Sequence, residues 1–183
     1  MPPKQRITRE MILERSFTMF CQEGMGAVNA RSVAKALNCS TQPIFSYFSG
    51  MDDLKNALDQ KAREAFENTL KEASSEKDTL NQYTKAYVRF ASEEPNLFAH
   101  MFLDVQKSAT GFSMEEMLRE PLWEAESKQN GLTLEQARAV CVNTLIFAHG
   151  LALIQASKNS AFALEEAEKM VMDAHEGNLL RML

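Results

Sequence analysis

An all-α fold is predicted by three features of this 183-residue sequence. Apolar residues recur at three- and four-residue spacing, no segment sustains alternation at period two for long, and only 7 Gly and 5 Pro interrupt the chain. Helix-start signatures then fall at intervals that predict about nine helices. Ile12, Leu13, Ser16, Phe17 and Phe20 line one face of a helix from Thr8 to Glu23, and Gly24 supplies a left-handed stop. Asn29 caps a short helix to Leu37 with Val33, Ala34 and Leu37 inward. Asn38 tolerates the left-handed turn that follows. Ser40 is expected to cap a second short helix, Thr41 to Phe48. Pro43 lies in its first turn, where a missing N–H costs little.

Ser49 and Asp52 have the spacing of a capping box for a long helix to about Ala73. After the polar break SSEKD comes a helix from about Thr79 to Glu93, and Pro95 starts another to about Lys107. SATGFS reads as a loop, followed by a helix from about Met114 to Lys128. Thr133 and Gln136 form a second capping box for a long helix to about Ser157, and Phe162 begins the last, to about Leu180.

Composition narrows the class. Hydrophobic residues at 45% and charged residues at 25% are those of a globular chain. No apolar run approaches the roughly 20 residues of a membrane span, and the basic start MPPKQRITRE lacks the apolar core of a secretory signal. Three widely spaced cysteines, Cys21, Cys39 and Cys141, suit a reducing cytoplasm and give no metal-binding spacing. Charge is unevenly spread. Residues 1–50 carry Lys4, Arg6, Arg9, Arg15, Arg31 and Lys35 against Glu10, Glu14 and Glu23, a net +3, which leaves −8 on residues 51–183. A basic module on an acidic body suggests a local nucleic-acid surface.

The stretch CSTQPIFSYFSG, residues 39–50, holds Phe45, Tyr47 and Phe48 among polar residues and no charge at all. Two short helices joined by a tight turn make a helix-turn-helix. Val33, Ala34, Leu37, Cys39, Ile44 and Phe48 are expected to fix the crossing. Ser40, Thr41, Gln42, Phe45, Ser46 and Tyr47 are then left outward or half outward. Gln and Thr can bond base edges in a major groove, and Ser and Tyr can reach phosphate. Arg31, just inside the first of the two helices, is a further candidate for the groove.

The run from Ile12 to Leu58 resembles the DNA-binding domain of the TetR/AcrR family of bacterial transcriptional regulators. The similarity lies in "F-x-x-x-G" at Phe20–Gly24 and in the "T-x-R-x-I-A-x-x-x-G-V" helix at Asn29, Arg31, Val33, Ala34, Asn38 and Cys39. It continues in the "L-Y-x-H-F" recognition helix at Ile44, Phe45, Tyr47 and Phe48. Asn38 replaces the usual Gly, Phe45 the usual Tyr, Tyr47 the usual His and Met51 the usual Lys. Pro95, Leu97, Phe98, Met101 and Phe102 are similar to a "P-x-L-F-x-x-M-F" segment of one subgroup, and Ala148–His149–Gly150 to its "W-H-G". The resemblance implies a helix-turn-helix domain over residues 1–50 and a helical regulatory and dimerisation domain over residues 51–183. It implies a homodimer on a palindromic double-stranded operator, most often as a repressor, and a small apolar or amphipathic effector.

The remaining residues give expectations of their own. Cys141, Ala148, Ala152 and Ala156 form a stripe of small side chains, matched by Leu164, Val171 and Ala174 on the last helix, and are expected to form a dimer seam. Met is abundant, at 11 residues. Phe98, Met101, Phe102, Met114, Met117, Trp123 and Phe147 are candidates for lining an effector cavity, although Met and Phe at helical spacing are more often core. His100 and Asp104 lie one turn apart but lack a third metal ligand nearby, and His149 reads as a core histidine. No catalytic triad order, phosphate loop or HExxH is present, so neither an enzyme nor a cofactor is expected. The competing reading is a helical small-molecule-binding or interaction protein that has lost DNA binding.

Overall fold

Local hydrogen bonds explain where the first helices begin. Thr8 Oγ1 accepts from the Met11 N–H at 3.2 Å and starts α1, Arg9–Glu23, which ends at Gly24 with φ at 85°. After a 3-10 turn over Met25–Ala27, Asn29 Oδ1 accepts from the N–H groups of Arg31 and Ser32, and Ser32 Oγ accepts from the Asn29 N–H. That reciprocal cap starts α2, Ala30–Ala36. Asn38 takes the left-handed turn at φ 50°, and α3 spans Gln42–Tyr47. Ser40 does not cap it, because the helix begins one residue later than expected and Thr41 occupies the cap position without a side-chain bond. The structure, a computed structural model, describes residues 6–73, 79–103, 114–118, 120–157 and 160–182, with the backbone alone at 114, 115 and 120.

The body continues with α4, Met51–Ala73; α5, Thr79–Glu93; α6, Pro95–Phe102; α7, Met114–Met117; α8, Glu120–Asn130; α9, Leu134–Gln155; and α10, Leu164–Leu180. The described residues contain no strand, so the fold is all-α. Three local expectations shift. The Ser49 N–H and hydroxyl are bonded by Asp53 Oδ2 at 2.9 and 3.2 Å, not by Asp52, because Gly50 intervenes before α4. The helix from Pro95 ends at Phe102, and residues 104–113, Asp104 included, lie outside the described residues. The helix expected over 114–128 divides into α7 and α8. Pro121 has no N–H to donate to the Met117 carbonyl, so the ladder restarts around it. The capping box of Thr133 and Gln136 forms as expected, at 2.9 and 3.2 Å.

Helix α5 is the axis of the body, packed by α4, α8, α9 and α10. Its Tyr87 meets Phe66 of α4 and Phe98 and Phe102 of α6 at ring separations of 5.5–5.7 Å, and Phe98 and Phe102 lie 4.6 Å apart. Aromatic burial of this kind contributes about 1.5–3 kcal/mol per ring from area alone. His149 of α9 closes the cluster, its Nδ1 2.7 Å from the Tyr87 hydroxyl. Burial lowers the pKa of His149 and raises that of Tyr87, so a neutral imidazole accepts from a protonated phenol. Helix α9 is long and apolar enough by composition to cross a bilayer, contrary to the expectation that no apolar run reaches that length, and it packs against α5, α8 and α10.

Two buried histidine–carboxylate pairs tie elements far apart in sequence. Asp59 of α4 meets His100 of α6 at 2.7 Å, and Glu126 of α8 meets His175 of α10 at 2.7 Å. The Asn130 amide also donates to Glu126, at 2.8 Å. Near the first pair, the Asn96 amide of α6 donates to the Cys21 carbonyl in the last turn of α1, at 2.7 Å. Burial pushes the thiol of Cys21 up to about 11 and that of Cys141 up to about 12, which keeps both protonated and unreactive.

Candidate nucleic-acid interface and ligand cavity

The crossing of α2 and α3 rests on Val33, Ala34, Ile44 and Phe48, all buried, with Leu37 and Cys39 half-buried. The small Ala34 lets the helices approach, and the Cys39 N–H returns to the Ala34 carbonyl at 3.0 Å through the turn at Asn38. This burial is the one expected of the inward set. What remains outside is the face predicted for DNA. Arg31, Ser40, Gln42, Phe45, Ser46 and Tyr47 are exposed, and Thr41 is half-buried. Phe45 is 52% exposed, a large apolar ring held in water.

Two hydroxyls of this face are already engaged. Ser46 Oγ donates to the Gln42 carbonyl at 2.9 Å within the helix. Tyr47, expected to reach phosphate, donates to the Ile7 carbonyl at 3.2 Å. Arg9 lies over the Phe48 ring at 4.9 Å, so the beginning of α1 is fastened to the end of α3. Sequence reasoning missed this fastening, because nothing local links residues forty positions apart. Lys4 lies outside the described residues.

The small-residue stripe does not form an outer seam. Cys141, Ala148, Ala152 and Val171 are fully buried within one subunit, and Ala156, Leu164 and Ala174 are half-buried. Small side chains mark a close helix crossing, and here the helices packed on α9 are α5, α8 and α10 of the same chain. The neighbouring face of α9 is the one left outside. Ile146 is 57% exposed and Phe147 39%, and Gly150 and Ile154 continue the row, with open space beyond Gly150. Met172 and Leu180 of α10 are exposed as well. The signal was present in the sequence as apolar residues flanking the small stripe.

A cavity of about 530 Å³ opens among α4, α5, α7 and α8. Leu70, Tyr83, Met117 and Leu122 give it apolar walls, and Glu67 and Glu116 give it carboxylates. Arg63 joins those two carboxylates at 3.1 and 3.0 Å, tying α4 to α7. Of the residues expected to line a cavity, Met117 does so. Phe98 and Met101 are buried core and Phe102 is half-buried against it. Trp123 lies under Arg138 at 5.3 Å, and Phe147 belongs to the outer face of α9. The Met114 side chain is outside the described residues. The cavity sits one layer away from the aromatic cluster because those rings fill their own space. Among the described residues no three His, Cys, Asp or Glu side chains are placed to share a metal ion.

Comparison with solved structures places this architecture. A transcriptional regulator from Rhodococcus sp. Rha1 superposes with a TM-score of 0.67 at 18% identity, covering 97% of this chain and 96% of that one. A TetR-like transcriptional regulator from Rhodococcus sp. RHA1 gives 0.66 at 15% identity, over 96% and 99%. A chain described as a TetR-family transcriptional regulator, from Mesorhizobium loti MAFF303099, gives 0.58 at 15% identity, over 96% and 98%. The fold is therefore that of TetR-type regulators along nearly the whole chain. No protein-family model matches the sequence, and no curated protein matches it.

Proposed function

We propose that this chain is a ligand-responsive, DNA-binding transcriptional regulator of the TetR/AcrR type. It acts in the cytoplasm as a homodimer on a palindromic double-stranded operator and represses from it. The observation that carries the reading is the outer face of α3. That face presents Gln42 and the exposed ring of Phe45 on a motif whose inner face is fully packed. A half-apolar surface rich in hydrogen-bonding groups, without charge, suits the edges of bases and thymine methyl groups. Residues 1–50 form the basic DNA-binding head, and residues 51–183 the regulatory and dimerisation body. Two heads one helical turn apart require a second copy, and the exposed apolar row of α9 with Met172 and Leu180 of α10 is the surface offered to it.

The test is selection of a duplex from a random-sequence pool, followed by gel shift. Gln42→Ala is expected to lose about 1–3 kcal/mol of discrimination between the selected site and its single-base variants, and Arg31→Ala to weaken binding. Unchanged affinity and footprint for both would remove α3 from the groove. The second reading, a binding protein without DNA affinity, draws on Asp52 and Asp53 at the start of α4, where phosphate would meet like charge. Failure to enrich any duplex would favour it.

The cavity is of the size that holds a drug-like molecule, and its apolar walls suit an amphipathic effector. An effector that binds the DNA-incompetent state better is expected to raise the melting temperature and to weaken operator binding about 5–150-fold. Thermal-shift screening followed by gel shift with each hit checks this.

A further inference from the structure

The hydroxyl of Tyr47 is exposed, yet its one proton is donated to a carbonyl forty residues upstream. A phosphate oxygen only accepts, so Tyr47 cannot donate to it and to Ile7 together. Three successive residues are fixed at this point: Ile7 by Tyr47, Thr8 by its cap on α1, and Arg9 by the Phe48 ring. The backbone just before Ile7 is thereby held at the end of α3, and Arg6, exposed, is the residue it carries there. Residues 39–50 contain no cation, and α4 opens with exposed Asp52 and Asp53. A duplex lying along α3 therefore needs positive charge from another segment. Arg supplies it well, since the guanidinium matches phosphate geometry with two donors.

We propose that Tyr47 is a positioning residue: its bond to the Ile7 carbonyl sets Arg6 against a DNA phosphate beside the base-reading helix. The inference rests on the DNA-binding function proposed above and assigns Tyr47 a role in affinity rather than in base choice. Tyr47→Phe keeps the ring and removes only the hydroxyl, which frees the backbone before Ile7.

The experiment uses the full chain and the duplex selected by the wild-type protein. Operator affinity is measured from 50 to 200 mM salt for wild type, Arg6→Ala, Tyr47→Phe and the double variant, with melting temperature as the folding control. Arg6→Ala is expected to lower the slope of log affinity against log salt by about 0.9 per head, so the gain from lowering salt over this range shrinks about 3.5-fold per head. Tyr47→Phe is expected to lower it similarly with unchanged preference among single-base variants of the site, and the double variant to match Arg6→Ala. An unchanged slope in Tyr47→Phe, or losses that add in the double variant, would overturn the inference. So would altered base preference at unchanged slope, which would make Tyr47 a direct reader. A wild-type protein that enriches no duplex would overturn the DNA-binding reading itself and this inference with it.

Discussion

Ile146→Glu is expected to leave a folded subunit that no longer dimerises and no longer shifts operator DNA. Ile146 is more than half exposed in the single chain, so a glutamate there remains solvated and the fold keeps its stability. In a dimer built on this face the same carboxylate would be buried without a partner, which costs several kcal/mol per subunit and is felt twice across a two-fold axis. Light scattering would report monomer mass, and circular dichroism an unchanged melt within about 1 kcal/mol. Ala152→Glu, six residues along the same helix, is expected to behave in the opposite way. Ala152 is 0% exposed where α9 packs against the body, so its glutamate unfolds the subunit before any question of assembly arises. A folded, dimeric Ile146→Glu protein would place the interface elsewhere.

His175→Ala is expected to be the most destabilising truncation outside the apolar core. It removes the partner of Glu126, whose carboxylate is 2% exposed and would keep only the Asn130 amide. Breaking a buried pair in this way costs about 3–5 kcal/mol. In a chain of this size that lowers the melting temperature by about 6–20 °C. Glu126→Leu with His175→Leu removes both polar side chains and fills the space, and is expected to recover most of the loss. The contrast is the surface pair of Lys128 and Glu124, at 3.6 Å, with both side chains exposed; its loss is worth at most about 1 kcal/mol. Thermal melts of the four proteins decide the matter. A drop of under 2 °C for His175→Ala would mean that Glu126 finds another partner when the histidine is gone.

The parts of the fold legible in the sequence are those whose causes are local. Asn29, Asn38 and the pair Thr133 and Gln136 act within four residues, and each appears where the sequence put it. The inward set of the helix-turn-helix was equally plain, because period and residue size agree over two short helices. Ser40 and Asp52 missed by one position because caps tolerate that shift and Gly50 lengthens the approach to α4. What stayed hidden depends on which helix lies opposite. The stripe around Ala148 announced a close crossing without saying that α5, α8 and α10 of the same chain would fill it. Phe98 and Met101 announced apolar burial without distinguishing a packed cluster from a cavity wall. Tyr47, Asp59 and His175 have partners forty or more residues away, and no periodicity connects them.

Two hydrogen bonds made by α6, one to α1 and one to α4, have a mechanical consequence. Asn96 holds the Cys21 carbonyl of α1, and His100 holds Asp59 of α4. Four residues separate the two anchors, about 6 Å along the helix. Two points fix a line, and rotation about that line stretches neither bond, whereas rotation about any other axis stretches at least one. Of three rotations, these two bonds leave one unopposed, a roll of α6 about its own long axis relative to α1 and α4, and the Phe20 ring, 5.1 Å from that of His100, stands against it. A displacement carried from α6 into α1 and α4 is therefore resisted in the other two directions by hydrogen bonds of 2.7 Å.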